Sequence, residues 1–243
     1  MAEGMGIFGE AAQAAAGMGI RISAEELAAL ASDRGMGEGE IAAVRTVFSY
    51  LAEQRRQKTV DTLLRLSRLP SREPKTFEGF DFSRIQGRDA GMLRKLPALA
   101  DLYAHRNIAF IGPEGIGKTH LAQAYGRACC MKGLRTYYLK ASELRDRLSR
   151  AAERGSVQRE VAALVKPSCL IVDEIGRCRF DRACTDMFFD IVDRRYEKDG
   201  PSTMVLTSNM SPSAWKGSFT GAAALLCALD RLFDHGSVFM MRG

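Results

Sequence analysis

Apolar residues return along this chain at two different spacings. Between Ile41 and Leu64 they recur every three or four positions, at Ile41, Val44, Phe48, Leu51, Val60, Leu63 and Leu64, with basic side chains between them. That spacing predicts helix, ending at Leu69-Pro70. A shorter helix is expected from Ser23, which forms a capping box with Glu26 ahead of Leu27 and Leu30. Gly35, Gly37 and Gly39 break it. The first 22 residues, rich in Gly, Ala and Met, read as a loose tail. Phe77, Phe80 and Phe82 follow in an extended linker and are expected to dock on the next domain rather than stay wet.

From about residue 88 the spacing alternates between the helical and the extended type. A helical stretch, Met92 to Tyr103, precedes the apolar run Asn107–Ile111, and a helix is expected from Lys118 to Met131. The β-rich run Thr136–Leu139 leads to a charged helix starting at Ser142. Then come the strand Cys169–Val172, a helix from Ala183 to Tyr196, the strand Thr203–Thr207, a helix near Ala222 to Phe233, and a last strand from Ser237 to Met241. Five short apolar strands separated by helices predict an α/β fold, a parallel five-stranded sheet flanked by helices on both faces. Such sheets bind ligands at the carboxyl ends of their strands. The chain is expected to divide near residue 76, with a helical, basic region over 1–75 and the α/β domain over 76–243.

Composition narrows the class. With 243 residues, 46% hydrophobic and 26% charged, the chain has ordinary globular composition, which excludes a disordered or collagen-like protein. The longest stretch without a formal charge, Pro201 to Trp215, contains two prolines and several hydroxyl residues and cannot span a bilayer. No basic region precedes an apolar run at the N-terminus, so a soluble, cytoplasmic protein with no membrane partner is expected. The six cysteines (129, 130, 169, 178, 184 and 227) form no C-x-x-C pair, and His105, His120 and His235 show no ligand spacing. The thiols read as small apolar side chains rather than zinc ligands or disulfides.

Charge is unevenly spread. Residues 1–40 carry two basic and seven acidic side chains, a net of −5, whereas 41–75 carry eight basic and three acidic, a net of +5; the whole chain is +6. A basic helix beside a basic domain suits a polyanion, nucleic acid first among them. A solvated helix face is the other reading of the same charges.

The chemistry is concentrated in four places. Gly112-Pro113-Glu114-Gly115-Ile116-Gly117-Lys118-Thr119 matches G-x-x-x-x-G-K-[ST] in full, after a strand and at the start of a helix. There the backbone curls so that several N–H groups face phosphate oxygens, and the helix dipole points at the same anion. Lys118 would reach the β- and γ-phosphates of a triphosphate, and the Thr119 hydroxyl would ligate magnesium. Asp173 lies 55 residues after Lys118 at the end of an apolar strand. It would hold the hydrated magnesium, and Glu174 would polarise the attacking water. Asn209, at the end of the next strand, has an amide able to bond both the γ-phosphate and that water, or is simply a polar turn residue. Arg231 stands in Leu229-Asp230-Arg231-Leu232, either as an arginine finger for a neighbouring subunit or as a plain surface partner of Asp230.

Taken together, these stretches resemble the IstB-like AAA+ ATPases, transposition helper proteins related to DnaC-type helicase loaders. The likeness runs over roughly residues 60–243. It rests on Phe77-Glu-Gly-Phe-Asp-Phe82, on Gly112 to Ala122 with its Gly-Lys-Thr-His-Leu-Ala run, on Val172-Asp173-Glu174-Ile175-Gly176, on Thr207-Ser208-Asn209, and on Leu229-Asp230-Arg231-Leu232. The resemblance implies a magnesium-dependent ATPase that forms a homo-oligomer on double-stranded DNA and recruits and stimulates a transposase. In the related branch it implies loading of a replicative helicase. It implies that residues 112–119 and His120 bind nucleotide, that Asn209 is a first sensor and that Arg231 acts in trans. It further implies that 76–243 is the AAA+ domain and that 1–75 serves partner, DNA or self-assembly. Arg177-Cys178-Arg179-Phe180 departs from the family, which usually has an apolar, proline-containing turn there. The family also continues past Gly243 into a segment with a second sensor arginine, so weakened hydrolysis is expected of a chain that stops there. A P-loop kinase and a nucleotide-gated interaction module with little turnover are the readings from other classes.

Overall fold

The computed structural model describes residues 2–87, 89–221, 229–234 and 236–242. They form two compact units, Met1–Thr62 and Leu63–Gly243.

The first unit is helical. Helix α1 spans Ala2–Gly17, α2 Ala24–Asp33 and α3 Glu38–Leu66, the last running across the division between the units. The capping box is present: Glu26 N–H donates to Ser23 Oγ at 3.1 Å and Ser23 N–H to Glu26 Oε2 at 2.8 Å. Ala2–Gly17 is helix rather than loose tail. The reason lies in Ala11–Ala16, where alanine dominates and helix propensity is highest. Ala11 and Ala15, one turn apart, are buried, and Phe8 and Ala11 share a small apolar hollow with Leu27, Ile41 and Val44. Glu10 also pairs with Arg45 of α3 at 2.9 Å.

The second unit begins at Leu63, earlier than residue 76, because the stretch after α3 packs with it. Ser67 is fully buried and its carbonyl accepts the Tyr138 N–H at 2.8 Å, while Leu69, Phe77 and Ile85 are core residues. Phe77 docks as expected, with Phe80 and Phe82 half-buried against the same cluster. The helix expected over Met92–Tyr103 is broken into α4 (Ala90–Leu93), a 3-10 turn (Leu96–Ala98) and α5 (Ala100–Tyr103). Pro97 removes a backbone donor there and Leu99 takes a left-handed conformation, φ 56°.

Beyond this, strands and helices alternate: β1 (Ile108–Ile111), α6 (Lys118–Met131), β2 (Thr136–Lys140), α7 (Ala141–Glu153), α8 (Val157–Val165), β3 (Cys169–Asp173), α9 (Arg182–Tyr196), β4 (Thr203–Ser208) and β5 (Ser237–Met240). The strands form one sheet in the order β2-β3-β4-β1-β5, parallel throughout, as the sequence predicted. Residues 229–233 are helical; the rest of the helix expected from Ala222, with Cys227 and His235, lies outside the described residues.

Strand alternation divides the core in two. Ile108, Phe110, Ile171, Val205 and Phe239 face α6 and the 77–102 segment. Ala109, Ile111, Leu170, Val172 and Leu206 face the helices α7 to α9 with Trp215 and Phe219. At the other end of the strands from the P-loop, one cation ties the layers together. Arg195 of α9 is 4% exposed and donates to the carbonyls of Leu164, Val165, Pro167, Ser168 and Thr203, at 2.7 to 3.3 Å. Its Nε finds no partner among the described residues.

Candidate active site

The loop from β1 to α6, residues 112–117, is shaped by its neighbours. At Gly117 φ is +98°, and a Cβ would lie 2.5 Å from Phe80 Cε2. At Gly112 a Cβ would lie 2.4 Å from the Met241 carbonyl oxygen, just beyond β5. The loop's first and last glycines are therefore required by backbone packing and by the linker ring, apart from any ligand.

At the C-terminal ends of the strands, alternation turns one row of side chains toward the start of α6. Asp173 shares a face with Ile171, Thr207 with Val205, and Tyr138 belongs to the same layer. Asp173 is 2% exposed, and three hydroxyls donate to its carboxylate. Thr119 bonds Oδ1 at 2.8 Å, Thr207 bonds Oδ1 at 2.5 Å, and Tyr138 bonds Oδ2 at 2.7 Å. Tyr138 lies on β2 and Asp173 on β3, two register positions apart, a diagonal that a tyrosine side chain can span. Burial first, and then the bond to Asp173, push the Tyr138 phenol well above its ordinary pKa, so it stays a donor.

Lys118, 8% exposed, folds over the loop and donates to the carbonyls of Gly112 at 2.8 Å and Pro113 at 2.6 Å. Burial lowers its pKa, opposed by the charges of Glu114, Asp173 and Glu174. Glu174 has a left-handed backbone, φ 62°. Its N–H donates to Thr207 Oγ1 at 2.9 Å, and the next N–H, of Ile175, to the Thr207 carbonyl at 2.8 Å. Its carboxylate meets two cations, Arg177 at 2.5 Å and Lys140 at 3.8 Å. Across the cleft, Asn209 Nδ2 donates to Glu114 Oε1 at 3.2 Å.

Glu114, Gly115, Lys118, Thr119, Glu174 and Asn209 line one cleft of about 510 Å³, with Arg177 and Thr207. The structure thus brings together the predicted residues of the loop, the acidic pair and Asn209. Two others stand apart from it. His120 Nε2 lies 2.8 Å from the Thr76 carbonyl oxygen and its ring meets the edge of Phe80, so it faces the linker. Arg231 pairs with Asp193 of α9 at 2.6 Å and is not among the residues lining the cleft.

The donor set fits a triphosphate with a hard divalent cation. A loop of this kind presents backbone amides to phosphate, Lys118 lies over it, and the Thr119–Asp173 pair offers only oxygen ligands. Among the described residues no group of His, Cys, Asp and Glu has the makings of a softer metal centre. Cys129, Cys130, Cys169 and Cys184 are buried thiols, as expected. Burial pushes Cys184 up to about 12.

The family profile described as IstB-like ATP binding protein matches residues 17–243. The chain belongs to this family. An IstB-like relative, the ATP-binding protein named for insertion sequence IS5376 of Geobacillus stearothermophilus, is 37% identical over 191 residues, 78% of this chain and 74% of the relative. The one named for IS21 of Pseudomonas aeruginosa is 33% identical over 189 residues, 78% and 69% of the two chains. Among solved structures, AMPPCP-bound DnaA from Aquifex aeolicus matches with a TM-score of 0.57 at 22% identity, over 70% of this chain but only 51% of DnaA. The DnaC helicase loader matches with 0.52 at 20%, over 72% of this chain and 97% of DnaC. These two likenesses establish the P-loop AAA+ fold.

Reading the IstB-like motifs in sequence missed three contributors. Tyr138 and Thr207 are invisible as Asp173 partners because the register between β2, β3 and β4 is not written in any one segment. Arg177 was visible only as a departure from the family.

Proposed function

We propose that this IstB-like chain is an ATP-hydrolysing helper that assembles as a homo-oligomer on duplex DNA and recruits and stimulates a transposase. The observation that carries the proposal is that Lys118, Thr119, Glu174 and Asn209 line one cleft, with the buried Asp173 bonded to Thr119. The insertion-sequence names of the relatives favour a transposase as the protein partner. DNA and partner contacts are assigned to the basic segment 41–75 and to α7 with Arg145, Arg147, Arg150 and Arg154.

In this reading Lys118 leaves the loop carbonyls for the β- and γ-phosphates, and the loop amides bind the same oxygens. A magnesium ion held through Thr119 and Asp173 would neutralise charge on the triphosphate. Asn209 orients a water, whose oxygen bonds to the γ-phosphorus as the bond to ADP breaks. Glu174 takes the water's proton. Arg231 serves a neighbouring subunit's cleft, which agrees with its distance from its own.

Phosphate release by the full chain, with and without duplex DNA, tests the proposal. Glu174→Gln is expected to retain ATP and stop turnover; wild-type turnover in that variant removes Glu174 from its role. DNA binding is expected to need ATP and to weaken steeply with salt, because salt reduces the entropy gained when bound side chains release condensed counterions. The fold shared with DnaC along nearly its whole length supports a second reading, a helicase loader. Co-purification with a replicative helicase instead of a transposase would select it.

A further inference from the structure

We propose that Arg177 is a positioning residue that restrains Glu174, and that phosphates of a nucleic-acid backbone relieve the restraint by taking over its guanidinium. The inference rests on Glu174 being the proton acceptor of the proposed ATPase.

The local backbone brings the two residues together. Arg177 N–H donates to the Glu174 carbonyl at 3.2 Å, a tight turn that sets side chains 174 and 177 beside each other. Arg177 then closes on Glu174 Oε1 at 2.5 Å, while Lys140 stands 3.8 Å from Oε2. Both oxygens that would receive the proton of the attacking water therefore face a cation. The turn itself is pinned. Thr207 holds the N–H groups of Glu174 and Ile175, Ser208 Oγ donates to the Ile175 carbonyl at 2.7 Å, and Ser218 Oγ to the Gly176 carbonyl at 2.9 Å. With the main chain fixed, Glu174 is freed only by a change of partner at its side chain.

Exposure points to what that change is. The side chains of Arg177 and Lys140 are 69% and 52% exposed, whereas that of Glu174 is 35% exposed. The cations form the rim and the acid lies beneath. Exposed ion pairs of this kind are weak and exchange partners readily. A phosphate diester offers a guanidinium two anionic oxygens, as a carboxylate does, and a polymer of them offers many. Arg179 and Arg182 are exposed on the same short segment, and the acid between them, Asp181, is turned onto the Cys184 N–H at 2.8 Å as the N-cap of α9. Arg177 lines the cleft, and three arginines within six residues suit a nucleic-acid backbone better than a single small anion.

The test measures phosphate release by the full-length protein with ATP and Mg2+, with and without a mixed-sequence DNA duplex, and affinity for a fluorescent ATP analogue. Arg177→Gln is expected to raise kcat without DNA by about two- to fivefold, the shift that loss of an exposed ion pair allows. KM and analogue affinity should hold, and stimulation by DNA should shrink by the same factor. Arg177→Lys keeps a cation and should stay close to wild type. Arg159→Gln, at an exposed position on α8, removes equal charge without touching Glu174 and should leave the rate without DNA unchanged. A rate in Arg177→Gln at or below wild type, or full DNA stimulation in it, overturns the restraint. So does the absence of turnover in both wild type and Arg177→Gln. If Glu174→Gln is inactive while Arg177→Gln behaves as wild type, only the restraint fails; normal turnover in Glu174→Gln fells the ATPase reading itself.

Discussion

Arg195 is a buried cation with no carboxylate beside it among the described residues. Burial lowers its pKa to about 10, and five carbonyls take the place of a counter-ion. Those carbonyls come from the end of α8, the start of β3 and the start of β4, so one side chain joins three elements. Arg195→Met would take a donor from all five, of which Pro167 keeps Lys198 and Ser168 keeps the Thr203 N–H. The expected cost is about 3 kcal/mol, measured by urea unfolding. Lys198, one turn further on, donates to the carbonyls of Lys166 and Pro167. Burial, then the charges of Arg195 and Arg135, lower its pKa from 10.5 to about 8. The folded state therefore binds the proton less well than the unfolded chain. Lys198 is favourable to stability above pH 10.5 relative to neutral pH, and that advantage is lost as pH falls through about 8. In Lys198→Gln the rise in stability between pH 8 and 10 should flatten, as read from unfolding curves across that window. Neither residue was legible in sequence, where Arg194-Arg195 reads as the basic end of a helix. Which of two adjacent arginines turns inward depends on the face α9 presents to β3.

At the scale of elements the strands were the most legible part. Ile108–Ile111, Cys169–Asp173 and Thr203–Ser208 are buried at every position, and unbroken apolar runs announce that without help from partners. Asp173, Glu174 and Asn209 were legible because each stands where such a run stops. The short helical pieces between 90 and 103 were not, since their apolar spacing fits a single helix and only Pro97 speaks against it. Helix α1 was hidden by its glycines, which obscured the alanines that bury. Gly112 was read as serving phosphate, yet its contact is with the main chain at Met241. Gly112→Ala should thus lower stability by about 1–3 kcal/mol, measured as a drop in Tm without nucleotide, because a carbonyl cannot rotate away as a side chain can. An unchanged Tm would mean that β5 shifts freely.

For the molecule as a whole, the proposed chemistry is complete only when two chains meet. Arg231 lies away from the cleft of its own chain and is held by Asp193. If it completes a neighbour's site, Arg231→Ala and Lys118→Ala should each be inactive alone, and mixing them should restore part of the phosphate release. No recovery at any ratio would return Arg231 to a role in packing. Phe80 carries a different consequence. Its ring presses on Gly117, although every motif that names the family's nucleotide site lies downstream of it. A fragment trimmed to begin at Ala90 would keep the whole signature and lose the wedge that keeps the phosphate loop in shape, so the smallest piece able to hold nucleotide starts well ahead of the residues that advertise it.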